Sequence, residues 1–168
     1  WQKCPTSHPT LATNLSEFHA LIKPMKLTDA LLAEHVVFHS IFASINKEIP
    51  HFKTIEEFRT VAKMLLGTLE AHGRAEHDLL LPPIEPLLHG IGHLENFHQE
   101  DDAIVDNLKD TAEAQDLAEA KSHLNKALRL AVEHFDKEER LVFPLAEKHI
   151  SQESLHTLGA KWSEMKEL

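Results

Sequence analysis

Two eleven-residue phrases, HGRAEHDLLLP at 72–82 and HFDKEERLVFP at 134–144, limit what this chain can fold into. Each reads His, three residues, Glu, then Pro six further on, and they lie 62 residues apart. That shift sets His72 on His134, Glu76 on Glu138, Leu79 on Leu141 and Pro82 on Pro144. A shift of 63 lays His35 on His98, His39 on Asp102, Ile41 on Ile104 and Ile45 on Leu108. The chain therefore uses one helical hairpin twice.

The apolar period supplies the helices. A first runs from about 27 to 47 with Leu31, Phe38, Phe42 and Ile45 on one stripe, and Pro50 ends it. Thr54 with Glu57 three later is a capping box for a second, whose stripe Phe58, Val61, Leu65, Leu69 and Leu79 runs until Pro82 and Pro83 stop it. After a loop containing EPLLHGIGH, a third spans about 93–110 with Leu94, Phe97, Val105 and Leu108 inward, and a fourth spans about 115–142. A short fifth helix begins behind Ser151. With Gly only five times and no Tyr, the composition is that of an all-α protein. Four amphipathic helices on short connections predict an antiparallel up-down-up-down four-helix bundle over residues 25–168, with residues 1–24 as an irregular N-terminal arm.

Four residues turn a helix by about 400°, so His72 and Glu76 lie about 40° apart on one face, as do His134 and Glu138. Both pairs fall on the apolar stripes, while His35 sits between Leu31 and Phe38, and His98 follows Leu94. Six polar groups aimed at one core cost several kcal/mol unless their charges and lone pairs are satisfied. A cation satisfies them together. Four imidazoles and two carboxylates exceed one tetrahedral zinc but supply two six-coordinate ions with Glu bridges, iron first, with manganese or zinc behind it. A lone His on such a stripe is more often a hydrogen-bonded core residue, and a lone HxxxE a solvent-facing pair. Here the repeat joins all six. The candidate metal ligands are His35, His72, Glu76, His98, His134 and Glu138, with Glu139 in reserve if the fourth helix is rotated. His8, His19, His51, His123, His149 and His156 have no partner in the repeat and are assigned to surface or termini, His77 is rotated off the face, and His89 and His93 fall in the loop.

His on one helix, HxxxE on the next, His on the third and HxxxE before an LVFP stop resembles the hemerythrin-like, or HHE cation-binding, family. The resemblance covers about residues 27–165. It implies an up-down-up-down bundle around a non-haem di-iron centre with an oxo or hydroxo bridge, His35, His72, His98 and His134 being terminal ligands and Glu76 and Glu138 bridges. Oxygen-carrying hemerythrins are similar but place a second His four residues after that of the third helix and an Asp on the fourth. This chain has Asp102 and the Glu pair of DKEER there, which argues against reversible oxygen carriage. His39 and Asp102 form a second tier, either completing the coordination, orienting imidazoles, or simply being polar on a helix face.

The resulting expectation is a di-iron protein that binds or senses dioxygen, peroxide or nitric oxide behind an apolar wall of Phe38, Phe42 and Leu128. A peroxide-consuming di-iron enzyme and a non-catalytic, metal-stabilised interaction module are the alternatives. A net charge of −10 without a basic cluster speaks against nucleic acid and anionic membranes, and no apolar run approaches the roughly twenty residues that span a bilayer. One cysteine, Cys4, fits a reducing, cytoplasmic setting, and a start at Trp1 leaves room for a removed leader or a longer parent chain. If the ligands are assigned correctly, Glu76→Ala or His134→Ala releases at least one ion and lowers the thermal midpoint. His123→Ala does neither. Metal analysis with thermal unfolding separates the three, and equal losses from all of them would sink the assignment.

Overall fold

The computed structural model describes residues 24–90 and 94–166. The expected arm, apart from Pro24, lies outside these residues. Among the described residues every element is helical: α1 Leu27–Glu48, a 3-10 turn Ile49–His51, α2 Ile55–Ala75, a π-turn Glu76–Leu80, α3 Leu81–Gly90, α4 Leu94–Glu113, α5 Leu117–Lys137, a second π-turn Glu138–Val142, α6 Phe143–His149 and α7 Gln152–Lys166. The all-α class is as expected, and α7 is the short helix read behind Ser151. None of these helices is long and apolar enough to cross a membrane.

Local chemistry sets the starts. The amides of Lys53 and Thr54 donate to the Glu57 carboxylate at 2.8 and 2.7 Å, satisfying two donors ahead of α2. Asp116 does the same for α5, its carboxylate accepting from the Glu119 amide at 2.9 Å while Glu119 accepts from the Gln115 amide at 2.8 Å.

The prolines after each HxxxE do not stop their helices, and here the sequence expectation is corrected. Pro82, Pro83 and Pro144 cannot donate a backbone hydrogen bond, and in a plain α-helix their rings press on the carbonyl four residues back. The chain widens just ahead of them instead: the Leu81 amide reaches back five residues to the Glu76 carbonyl, and that of Phe143 to the Glu138 carbonyl. The α-form then resumes with each proline in the first turn, where a missing N–H costs least. The two π-turns are 62 residues apart, so the repeat in sequence is a repeat of backbone form. Residues 85–90, read as a loop, belong to α3.

α4 lies along α5 and α2, while α7 packs on α1. The apolar side chains form two clusters. One gathers Phe38, Phe42, Leu65, Leu108, Leu128 and Phe135, and the other Leu27, Leu31, Leu80, Ile84, Val142 and Leu155. The boundary falls along α1 between Leu31 and Phe38, on α2 between Leu65 and Ala75, and on α5 and its π-turn between Phe135 and Val142. His35, His72 and Glu138 lie within these intervals, and Glu76 and His134 lie one residue outside them, so the five polar groups sit at that boundary.

Gly159 of α7 is buried against the first residues of α1, and a Cβ there would overlap the Met25 carbonyl. Gly67 on α2 has open space around the same position. Gly159→Ala is therefore expected to destabilise by about 1–3 kcal/mol through forced overpacking, whereas Gly67→Ala gains about 0.5–1 kcal/mol of helix propensity. Denaturant unfolding of both variants checks the opposite signs.

Candidate metal centre

Three imidazoles point their Nε2 atoms into the boundary layer. His35 and His72 face each other with Nε2 atoms 3.0 Å apart, so at most one proton lies between them. Glu76 Oε1 lies 3.3 Å from His72 Nε2 and 3.8 Å from His35 Nε2. Glu138 stretches across the layer, with Oε2 3.5 Å from His35 Nε2 and Oε1 3.2 Å from His134 Nε2. One ligand atom from each of His35, His72, Glu76 and Glu138 falls within 4.8 Å of all the others. None of these side chains is more than 7% exposed.

The opposite edge of each imidazole is held by a carboxylate. His35 Nδ1 donates to Glu139 at 3.1 Å, His72 Nδ1 to Glu34 at 2.9 Å, and His134 Nδ1 to Glu100 at 3.3 Å. An ionised carboxylate only accepts, so each Nδ1 carries the proton and each Nε2 can turn its lone pair inward, which is how imidazoles that bind metal are usually held. Aromatic packing fixes the rings as well. Phe135 stacks on His35 at 4.0 Å with planes 9° apart, and Phe38 meets His72 edge-on at 5.3 Å. The Phe38 and Phe42 wall read from the sequence is in place, with Phe135 added to it.

Glu76 Oε1 and Glu138 Oε2 are buried without an aligned hydrogen-bond donor, a costly state for a carboxylate oxygen. A cation among them removes the cost. Imidazole and carboxylate donors together suit a borderline first-row transition metal, so the residues present fit such an ion.

Protein groups alone would leave the layer holding protons. Burial, together with the neighbouring charge of Glu76, pushes the Glu138 carboxyl up to about 8. Burial works against charge on His72, but Glu76 and Glu34 outweigh it and raise that imidazole to about 10. His134 is likewise opposed by burial and raised by Asp101 and Glu138 to about 11. Burial opposes ionisation of Glu76 too, yet His72 and His35 hold its carboxyl well below the usual range.

The other sequence candidates stand apart from this group. His98 is exposed, its ring 6.2 Å from that of His77, although it borders a cavity of about 30 Å³ with Glu76, Asp101 and Glu138. Asp102 is exposed, whereas Asp101 places Oδ1 2.9 Å from His134 Nε2. The buried face of α4 runs through Ile104, Leu108 and Thr111, and three residues back along it comes Asp101. The sequence reading drew that face through Val105, about 100° away, and took His98 and Asp102 as the repeat mates of His35 and His39. His39, one-third exposed, approaches Glu139 at 3.7 Å. Glu139 thus serves His35 through Nδ1. Glu34 and Glu100 were missed, because neither lies on an apolar stripe. The only hint was an acid beside His35 and the acidic run QEDD at 99–102.

A larger cavity of about 500 Å³, lined among others by Leu69, His72, Glu76, Ile104 and His134, reaches the same groups between α2 and α4. A family model described as the hemerythrin HHE cation binding domain matches residues 26–146. That span takes in the whole polar layer and stops before α7. No curated protein and no solved structure matches the chain.

For protein stripped of metal, the raised groups predict a sign. Glu138, His72 and His134 bind more protons folded than unfolded, so their stabilisation is complete below the unfolded values of 4.5 and 6.5 and is lost as pH rises through about 8, 10 and 11. The thermal midpoint should fall between about pH 6 and pH 10. Added cation should reverse that slope, because binding expels the same protons. A stripped protein that grows more stable over this range contradicts the assignment.

Proposed function

The chain belongs to the hemerythrin HHE cation-binding domain family, and on that premise we propose that it is a non-haem di-iron protein that binds or senses a small oxidant or gas. The observation that carries the reading is the span of Glu138. One oxygen faces His35, beside His72 and Glu76, and the other faces His134, beside Asp101. A carboxylate so placed suits a bridge between two ions, with His35, His72 and Glu76 on one side and His134 on the other. A group from α4, Asp101 or His98, would complete the second side. Iron fits the mixed imidazole and carboxylate donors, with manganese or zinc as competitors. The proposal includes the antiparallel up-down-up-down arrangement of the four long helical rods over residues 25–168.

Bound there, iron ions would supply redox change and an open position for dioxygen, peroxide or nitric oxide. The side chains do the remainder. Glu34, Glu100 and Glu139 orient the imidazoles, while Phe38, Phe135 and the Phe143 ring, 5.1 Å from that of His35, keep bulk water from the layer. The cavity of about 30 Å³ that touches Glu76 and Glu138 has room for something the size of a water or a diatomic molecule. While the cavity of about 500 Å³ beside His72, Glu76 and His134 could admit a larger molecule, a gas or peroxide fits the small one. Asp101 favours the second reading, peroxide turnover, since it places a carboxyl between that cavity and His134 at a site roughly half exposed.

Elemental analysis of aerobically purified, untagged protein tests the centre, and we expect about two iron ions per chain. Azide or peroxide should then change the visible absorption. Peroxide consumed over many cycles would select the enzyme, whereas a stable adduct selects binding or sensing. Iron whose spectrum ignores both reagents would leave only the interaction module.

A further inference from the structure

Helix α7 lies beyond the span matched by the family, yet it reaches the polar layer through one residue. Leu155, Gly159, Trp162 and Lys166 fall at spacings of four, three and four, so they form one face of the helix. Leu155 is buried in the second apolar cluster, and Gly159 brings the α7 backbone against that of Met25. The last two side chains converge on Glu34 of α1. Lys166 Nζ lies 2.7 Å from Oε1, and Trp162 Nε1 donates to Oε2 at 3.4 Å. The same Oε2 accepts from His72 Nδ1 at 2.9 Å. A single carboxylate therefore joins the C-terminal helix to an imidazole of the metal layer.

We propose that Glu34 is a positioning residue that couples cation binding at His72 to the docking of α7, making residues 152–166 the element that reports whether the site is filled. The inference rests on the cation-site reading of His72. With α7 docked, Trp162 and Lys166 hold the Glu34 carboxylate toward His72, and the imidazole keeps its inward orientation. With α7 released, Glu34 loses both partners and, being partly exposed, turns to water. His72 then loses the acceptor that sets its tautomer. A cation that needs His72 in that orientation must favour the docked helix by the same factor that the docked helix favours the cation.

The test uses the full chain, stripped by a chelator, with iron(II) titrated anaerobically against a chromophoric competitor. Amide exchange of residues 152–166 is followed with and without iron. Iron is expected to slow exchange across α7 in the parent protein. Glu34→Gln keeps the shape but loses the charge, and should weaken iron binding about 10–100-fold and abolish the iron-dependent slowing. Trp162→Phe deletes one N–H and keeps an aromatic ring, and should weaken binding about fivefold although it touches no ligand. A parent protein that binds iron with α7 exchange unchanged overturns the coupling, as does Glu34→Gln binding iron as tightly as the parent. A parent protein that takes up no iron overturns the cation reading beneath it as well.

Discussion

Five ionisable side chains buried in one layer are the condition to which the rest of the structure answers. His35, His72, Glu76, His134 and Glu138 lie where two apolar clusters would otherwise meet, and all are nearly inaccessible to water. An apolar core gains nothing from such a layer, since each unpaired charge there costs several kcal/mol. The arrangement makes sense when the groups share a cation. Every imidazole is braced from behind by a carboxylate near the surface, which leaves the inward nitrogens as donors and the outward charges in contact with solvent.

The backbone meets the same demand. Glu76 and Glu138 each open a π-turn, so each carboxylate starts from a helix that has locally widened by one residue. Such insertions in α-helices are common at functional sites. The prolines behind them lack the N–H that a plain α-helix would bring to the carbonyls of Asp78, Leu79 and Arg140, and their rings crowd those carbonyls, which favours a widened turn just ahead of them. Histidine, glutamate and proline form one device: the first two bear the chemistry, and the third holds the backbone that aims them.

The layer is tied outward as well as inward. Glu139 connects His35 to the neighbourhood of His39, Glu100 carries both His134 and Lys137, and Glu34 connects His72 to α7. Two of these acids lie on the first and fourth helical rods, and one lies on the third. Orientation of the donor set is thus distributed over elements far apart in the chain, which gives a buried site several contacts with the surface.

Much of this was legible without coordinates. The doubled phrase placed His72, Glu76, His134 and Glu138, because a repeat at fixed offset on amphipathic stripes leaves those side chains one face to occupy. The capping box at Thr54 and the apolar period likewise marked where α1 and α2 begin. Periodicity failed on α4, where Ile104 and Val105 are equally apolar, and a choice between them rotates every polar neighbour by about 100°. The partners of α4 decided that choice, and with it the exchange of Asp102 for Asp101. Pro82 was read as a stop because local sequence registers the missing donor but not whether a helix can widen around it. Glu34, Glu100 and their partners were beyond reach for a similar reason. Residues 34 and 72, or 100 and 134, meet only when separate helices pack, and a surface acid carries no mark of the imidazole it will hold. By itself the sequence determined the helical class and the inward pairs, since both follow from spacing along a single helix. Rotation, bracing and the link to the C-terminal helix were decided by the tertiary structure, because each depends on where two helices touch.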